Sequence, residues 1–255
     1  MCQVNFTYIK TYQLDVFNIK KCNTYANMNE LNLLSSSHLI VVSICIIGII
    51  YIPRYFKHSS KTTHRKLAFT IIFFIAINQG MDLYREGYLQ EWKLGLPLHL
   101  CDFSSFAVVM YLLTKNKDFF LFAFFFGITG GGMSILTPDT IYGFPYVGYI
   151  QNQIGHMMIL LGVSYAMIID NQRPYLIDVF RMLAFATILL IIMYFVNYSL
   201  GPPANYWFLI EKPIGQNVAT FMKPAPYHII DLYMLAIILC YAMYLPYYFK
   251  DRANK

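Results

Sequence analysis

The sequence predicts an all-α polytopic membrane helical bundle of seven transmembrane helices with its N-terminus outside. Three observations carry this. Hydrophobic residues fill 58% of the 255 positions and charged residues only 13%, about half the charged share of an ordinary soluble domain. The apolar residues come in blocks close to the ~20 residues that a helix needs to cross a bilayer, with the charges mainly between the blocks. The Lys and Arg behind a net charge of +6 sit in short loops beside those blocks, so they read as topology signals and no nucleic-acid partner is expected.

Residues 1–37 form a polar N-terminal tail. They mix Asn, Tyr, Lys and Thr and lack the basic, apolar and small-residue order of a cleavable signal peptide. The tail is expected to be poorly structured, and Met28 offers a second start. One helical domain, 38–250, follows. Apolar runs place its spans at about His38 to Phe56, Leu67 to Tyr84, Leu96 to Thr114, Asp118 to Ile135, Tyr149 to Ile169, Val179 to Tyr198 and Tyr227 to Tyr248. Only Lys115-Asn116-Lys117 separates the third from the fourth, which forces an antiparallel hairpin. The fourth ends in Gly130-Gly131-Gly132 and a Pro138-Asp139 turn, where glycines let backbones approach closely or stop the helix.

Orientation follows from basic residues. Arg54, Lys57, Lys61, Arg65, Lys66, Lys115, Lys117, Arg173, Arg181, Lys250, Arg252 and Lys255 fall on one side. Lys10, Lys20, Lys21, Arg85, Lys93, Lys212 and Lys223 fall on the other, three of them in the distant tail. The richer side is expected to be cytoplasmic in a multi-pass protein of the cell membrane. The five cysteines, Cys2, Cys22, Cys45, Cys101 and Cys240, show no CxxC pair or regular framework, although Cys2 and Cys22 could pair outside a cell.

Polar side chains within spans are costly and normally face the bundle or an aqueous cavity. Here they gather at one depth. The second span ends with Asn78, Gln79 and Asp82. The third begins with His99, Cys101 and Asp102, and the fifth with Gln151, Asn152, Gln153 and His156. The sixth ends at Asn197, the next loop carries Asn205 and Tyr206, and the seventh starts with Tyr227, His228 and Asp231. Headgroup proximity accounts for polar helix ends one at a time but not for this one-sidedness. His156 stands out, two turns into its span with Asn152 and Gln153 one turn before it; a satisfied bundle histidine is the plainer alternative. At ~100° per residue His99 and Asp102 share a helix face and Cys101 points away from His99, so Cys101 would need a base from another span, His156 or His228. Cys101 could equally be a small packing residue.

At LPLHLCD (Leu96 to Asp102), GHMMIL around His156, and the stretch from Asn197 through Gly201 and Asn205-Tyr206 to Lys212-Pro213, the chain resembles the YwaF-like family of bacterial multi-pass membrane proteins. The likeness runs from about Leu67 to Tyr248. Gly201 and the Asn205-Tyr206 pair lie further apart than in the family's pattern, as after a small insertion. That family is similar to vertebrate transmembrane protein 164, a membrane acyltransferase that moves fatty acyl chains between phospholipids through a Cys and a His. The resemblance implies Cys101 and His156 as those residues.

The leading expectation is therefore a lipid acyltransferase or acyl hydrolase acting on membrane phospholipids or other acyl lipids, with no cofactor. Cys101 attacks the ester, His156 moves the proton, and Asp102, Asn152 or Gln153 orients the imidazole. His99, Asn152, Gln153, Asn205, Tyr206, His228 and Asp231 would line the substrate site, with the Gly130 to Gly132 amides or Asn205 meeting the oxyanion. Two rivals remain: a zinc-dependent lipid hydrolase using His99, His156, His228, Asp102 and Asp231, although no HExxH or HxxxH pair is present, and a transporter or receptor lined by the same groups.

Overall fold

The computed structural model describes residues 30–213 and 218–253; Met28 and the Cys2–Cys22 pairing fall outside them. Helices dominate, and among the described residues the β-type pairing is one isolated bridge between Glu30 and Tyr142. The long helices are α1 (Ser36–Phe56), α2 (Lys61–Asp82, continued by a π-helical turn, Leu83–Tyr88), α3 (Leu100–Thr114), α4 (Lys117–Leu136), α5 (Val147–Ile168), α6 (Leu176–Leu200) and α7 (His228–Ala253).

Five of these, α1, α2, α4, α6 and α7, are long and apolar enough to cross a membrane. Helix α3 is apolar but has 15 residues, about 22 Å at 1.5 Å per residue. In α5 the early turns carry Gln151, Asn152, Gln153 and His156. Exposed Ile40, Ile44, Ile47, Ile188, Ile191 and Phe195 give α1 and α6 apolar outer faces that only lipid solvates well. The chain is a helical membrane protein.

Local chemistry sets the boundaries. Ser35 Oγ accepts from the His38 amide at 3.3 Å, Ser60 Oγ from Thr63 at 3.2 Å and Asn116 Oδ1 from Asp118 at 2.9 Å, each satisfying a helix-start N–H that has no partner along the chain. The α3–α4 hairpin turns at Lys115, which takes a left-handed conformation with φ 59°. The start of α3 comes later than Leu96. Pro97 disfavours helical backbone in the residue before it, and His99 is extended, with φ −70° and ψ 158°, as the N-cap.

Two expectations are corrected. Helix α4 does not stop at its glycines: they fall in and just after a π-helical stretch, Ala123–Gly131, and the helix runs on to Leu136. The expected loose tail is held at its near end, where the amide of buried Leu31 donates to Ile141 O at 2.8 Å in the α4–α5 loop.

Helix α4 is the central element, 56% buried where the other four candidate spans are 11–22% buried. Its Phe120, Leu121, Phe124 and Phe125 form the middle of the core with Ile71, Val108, Tyr111 and Val179. Helix α5 packs against α1, α2, α3 and α4, while α6 and α7 lean on the other side of α4. Gly162 lets α5 approach α3 closely: a Cβ there would lie 2.2 Å from Val108 Cγ1.

Candidate functional site

By the antiparallel order, the ends of α2, α4 and α6 and the starts of α3, α5 and α7 share one end of the bundle, the polar end. There a cavity of about 310 Å³ opens between the start of α3, α4, α6, α7 and the loop after α6. Its walls are apolar, with Phe126, Leu183, Leu190, Leu232 and Leu239 among them. Polar groups are few: His99, Cys101, Thr129, Ser134, Thr137 and Asp139, with the Tyr233 hydroxyl and the Trp207 indole already hydrogen-bonded to Thr187 and Leu98 O. Ile229 and Leu239 both line it, so it follows α7 for about 15 Å at helical rise. That shape suits a long apolar chain with a polar group at one end.

His99 and Cys101 line this cavity together, against the expectation that they point apart. The 100° rule holds only within a helix, and His99 is the extended residue before α3. The His99 ring packs edge-on to Tyr206 at 4.9 Å and tilted against Phe208 at 5.7 Å. Asp102, expected beside His99 on one face, turns back along the helix start. Its Oδ2 accepts from the His99 amide at 2.7 Å and its Oδ1 from Gln79 Nε2 at 2.9 Å. It caps α3 and ties it to α2.

His156 is not among the cavity-lining residues; its ring faces Gly131, beside the cavity-lining Gly130. Its Nδ1 lies 2.8 Å from the main-chain oxygen of Asn152. A carbonyl only accepts, so Nδ1 carries the proton and a neutral ring presents Nε2 as a lone pair. The orienting group is thus a main-chain oxygen and none of the three side chains expected. Asn152 Nδ2 donates to Ser134 O at 3.0 Å and Gln153 Nε2 to Ile135 O at 3.2 Å, both stapling α5 to the end of α4.

Tyr206 is buried and its main chain is clamped by one residue: its amide donates to Asn197 Oδ1 at 2.7 Å and its carbonyl accepts from Asn197 Nδ2 at 2.9 Å. Its hydroxyl donates to Lys93 O and accepts from the Leu96 amide at 3.1 Å. Burial pushes the phenol above its ordinary range, which keeps it a neutral donor. This anchorage holds the next two residues, Trp207 and Phe208, at φ 59° and 53°, a region that bulky side chains rarely occupy. Both line the cavity, and Trp207 Nε1 donates to Leu98 O at 2.9 Å, joining this loop to the segment before α3.

Three other expected site residues serve the loops. Asn205 Oδ1 accepts from the Ile210 and Glu211 amides and its Nδ2 donates to Glu211 O, so its amide is occupied. His228 is fully buried with Nε2 2.7 Å from Phe208 O, which leaves Nδ1 unpartnered. Asp231 accepts from the Lys223 amide at 2.8 Å and pairs with its ammonium at 3.4 Å. The amide of Gly132 is likewise engaged within α4, to Ile128 and Thr129 O.

Sequence reasoning missed Ser134, Thr129, Trp207 and Phe208 as cavity residues, since nothing in their spacing marks them. It also missed a polar chain beside the site. Arg85 Nη1 donates to Gln151 Oε1 at 2.5 Å, Gln151 Nε2 to Asp82 Oδ1 at 2.6 Å and Asn78 Nδ2 to Asp82 Oδ2 at 3.1 Å. The carboxylate and the guanidinium thus share one amide bridge at the α2–α5 contact. Among the described residues no three His, Cys, Asp or Glu side chains form a group that could hold a metal.

The TMEM164 family model matches residues 33–244. No curated protein and no solved structure matches the chain.

Proposed function

The chain belongs to the TMEM164 family, and we propose that it is a membrane-embedded lipid acyltransferase or acyl hydrolase working through a thioester on Cys101. The observation that carries this reading is the cavity, where a thiol and an imidazole stand at the head of an apolar slot that follows α7 between α4 and α6. An acyl chain fills such a slot and brings its ester carbonyl to the polar head.

In the first step Cys101 Sγ bonds to the acyl carbon, an imidazole takes the thiol proton, and the ester C–O bond breaks as the leaving alcohol takes that proton. In the second step the hydroxyl of a lysolipid or of water attacks the thioester, giving its proton to the imidazole as the C–S bond breaks. The sulfur then recovers the proton. His156 is assigned as the base because Asn152 O holds Nδ1–H and leaves Nε2 to accept. His99 is assigned to the substrate's approach, since it lines the cavity beside Cys101. Finer placement among the YwaF-like bacterial proteins rests on the LPLHLCD and GHMMIL segments.

The test is acyl exchange between phospholipids, followed by mass spectrometry in membranes holding each variant at equal folded level. Cys101→Ala is expected to abolish exchange. His156→Gln should lower it by about 10²–10⁴-fold, the range for a general base, and His99→Gln by less. A larger loss with His99→Gln moves the base to His99. Full activity in Cys101→Ala ends the thioester route, and activity lost to chelators and restored by zinc replaces it with metal chemistry. A lipid profile that does not change with the protein leaves the transporter or receptor reading.

A further inference from the structure

The opposite end of the bundle carries most of the basic residues, and four of them are neutralised within the chain. Lys115 pairs with Asp170 at 2.7 Å, Lys117 with Asp178 at 3.1 Å, Arg173 with Asp251 at 2.5 Å and Arg181 with Asp118 at 3.0 Å. Lys61 and Arg65 differ. Among the described residues neither has a carboxylate partner, nor do Arg54, Lys57, Lys66, Lys250 and Arg252, but of this unpaired set only Lys61 and Arg65 line the cavity between α2, α3 and α5. Both stand in the first turns of α2, which has no acidic residue there and whose free N–H groups add positive potential of their own.

These two side chains are on the rim of a second cavity, about 470 Å³, between α2, α3 and α5. Lys115 reaches it from the α3–α4 turn, its ammonium 4.7 Å from the Tyr165 ring centre, and its partner Asp170 lines the cavity with it, so the charge left over on the rim is that of Lys61 and Arg65. From this cationic rim the wall continues along the bilayer-facing side of the helices as Phe69 and Leu113, 49% and 56% exposed. A soluble anion would use the rim and gain nothing from the wall. A lipid without net charge would use the wall and leave two cations uncompensated. A phosphodiester headgroup with its chains attached uses both, in the arrangement by which basic pockets between membrane helices take anionic lipids.

We propose that this cavity is a binding site for a phospholipid of net negative charge, its phosphate between Lys61 and Arg65 and its chains lying along Phe69 and Leu113. The site is separate from the cavity of Cys101 and does not depend on the acyl-transfer reading.

The experiment is native mass spectrometry of the full chain in detergent, titrated with dioleoyl phosphatidylglycerol or dioleoyl phosphatidylcholine. The wild type should retain phosphatidylglycerol preferentially, and Lys61→Gln with Arg65→Gln should weaken that retention about tenfold or more, as expected for two lost charges near a membrane surface. The matched control is Lys57→Gln with Lys66→Gln, which removes the same charge from residues outside the cavity and should change little. The conservative pair Lys61→Arg with Arg65→Lys should keep the preference. Equal loss in the control pair would overturn the site in favour of general surface charge, as would equal retention of both lipids by the wild type. Displacement of the lipid by millimolar inorganic phosphate would overturn the lipid assignment, leaving a phosphate site alone.

Discussion

Asn197 shows how far one side chain decides the shape of the polar end. It is 2% exposed and answers both main-chain groups of Tyr206, standing in for a strand partner where no strand exists. Asn197→Ala leaves the buried Tyr206 N–H unpaired, at about 1–3 kcal/mol, and leaves its carbonyl only the long 3.4 Å bond from the Leu209 amide. The expected outcome is a lower unfolding temperature in detergent together with reduced acyl exchange, because Trp207 and Phe208 lose the anchor that holds their unfavourable backbone. Asn197→Asp keeps the acceptor for the Tyr206 amide and should fall between; an Asn197→Ala protein as stable as wild type would show that the clamp carries no load. His156 is the complementary case. Its neighbours Asn152 and Gln153 look like orienting groups in the sequence, yet both side chains reach across to α4, and the ring is set by a main-chain oxygen that every residue type has. No residue pattern can reveal such a partner.

At the scale of elements, α4, α6 and α7 shape the slot, and the start of α3 with the loop after α6 holds its head. Ala236 is a small residue in the middle of the α7 stretch that lines the slot. Ala236→Phe fills the space below the polar head and should shift the transferred acyl chains toward shorter ones while leaving exchange of short chains intact. The chain-length profile of the products measures this, and an unchanged profile would remove the slot from the acyl path. The α3–α5 contact can be tested on its own. With 2.2 Å available to a Cβ at Gly162, Gly162→Ala overpacks the contact by about 1–3 kcal/mol. It should lower the unfolding temperature, and Val108→Ala should recover part of the loss in the double variant. Absence of that recovery would mean that the helices move apart freely.

For the whole molecule, the basic residues predict which end faces the cytoplasm. With other accessible cysteines removed, Cys at Lys93 is expected to react with an impermeant label on intact cells and Cys at Lys61 to be protected. The reverse pattern would put the cavity of Cys101 on the cytoplasmic side and the phospholipid site on the other.

The helices and their order were legible because membrane solvent imposes long apolar runs, while the starts were less so: α2 begins at Lys61 under the Ser60 cap, six residues before the expected Leu67. The depth of the polar layer was legible for the same reason, since polar groups in lipid need a shared refuge. Membership of the cavity was not. Helical phase put His99 and Cys101 apart because it treats both as helical, while Pro97 and the Asp102 cap leave His99 extended. Asn205 and Asp231 have the residue types of a site but spend their polar atoms on the loop beside them, and His228 spends Nε2 on Phe208 O while its Nδ1 stays unpartnered. By itself the sequence determined the solvent, most of the helices and the end of the bundle at which polar groups gather, since these follow from hydropathy. Only the tertiary structure decided which polar groups turn toward the cavity and which are spent on packing, because that depends on partners distant in the chain and on main-chain atoms that carry no sequence signature.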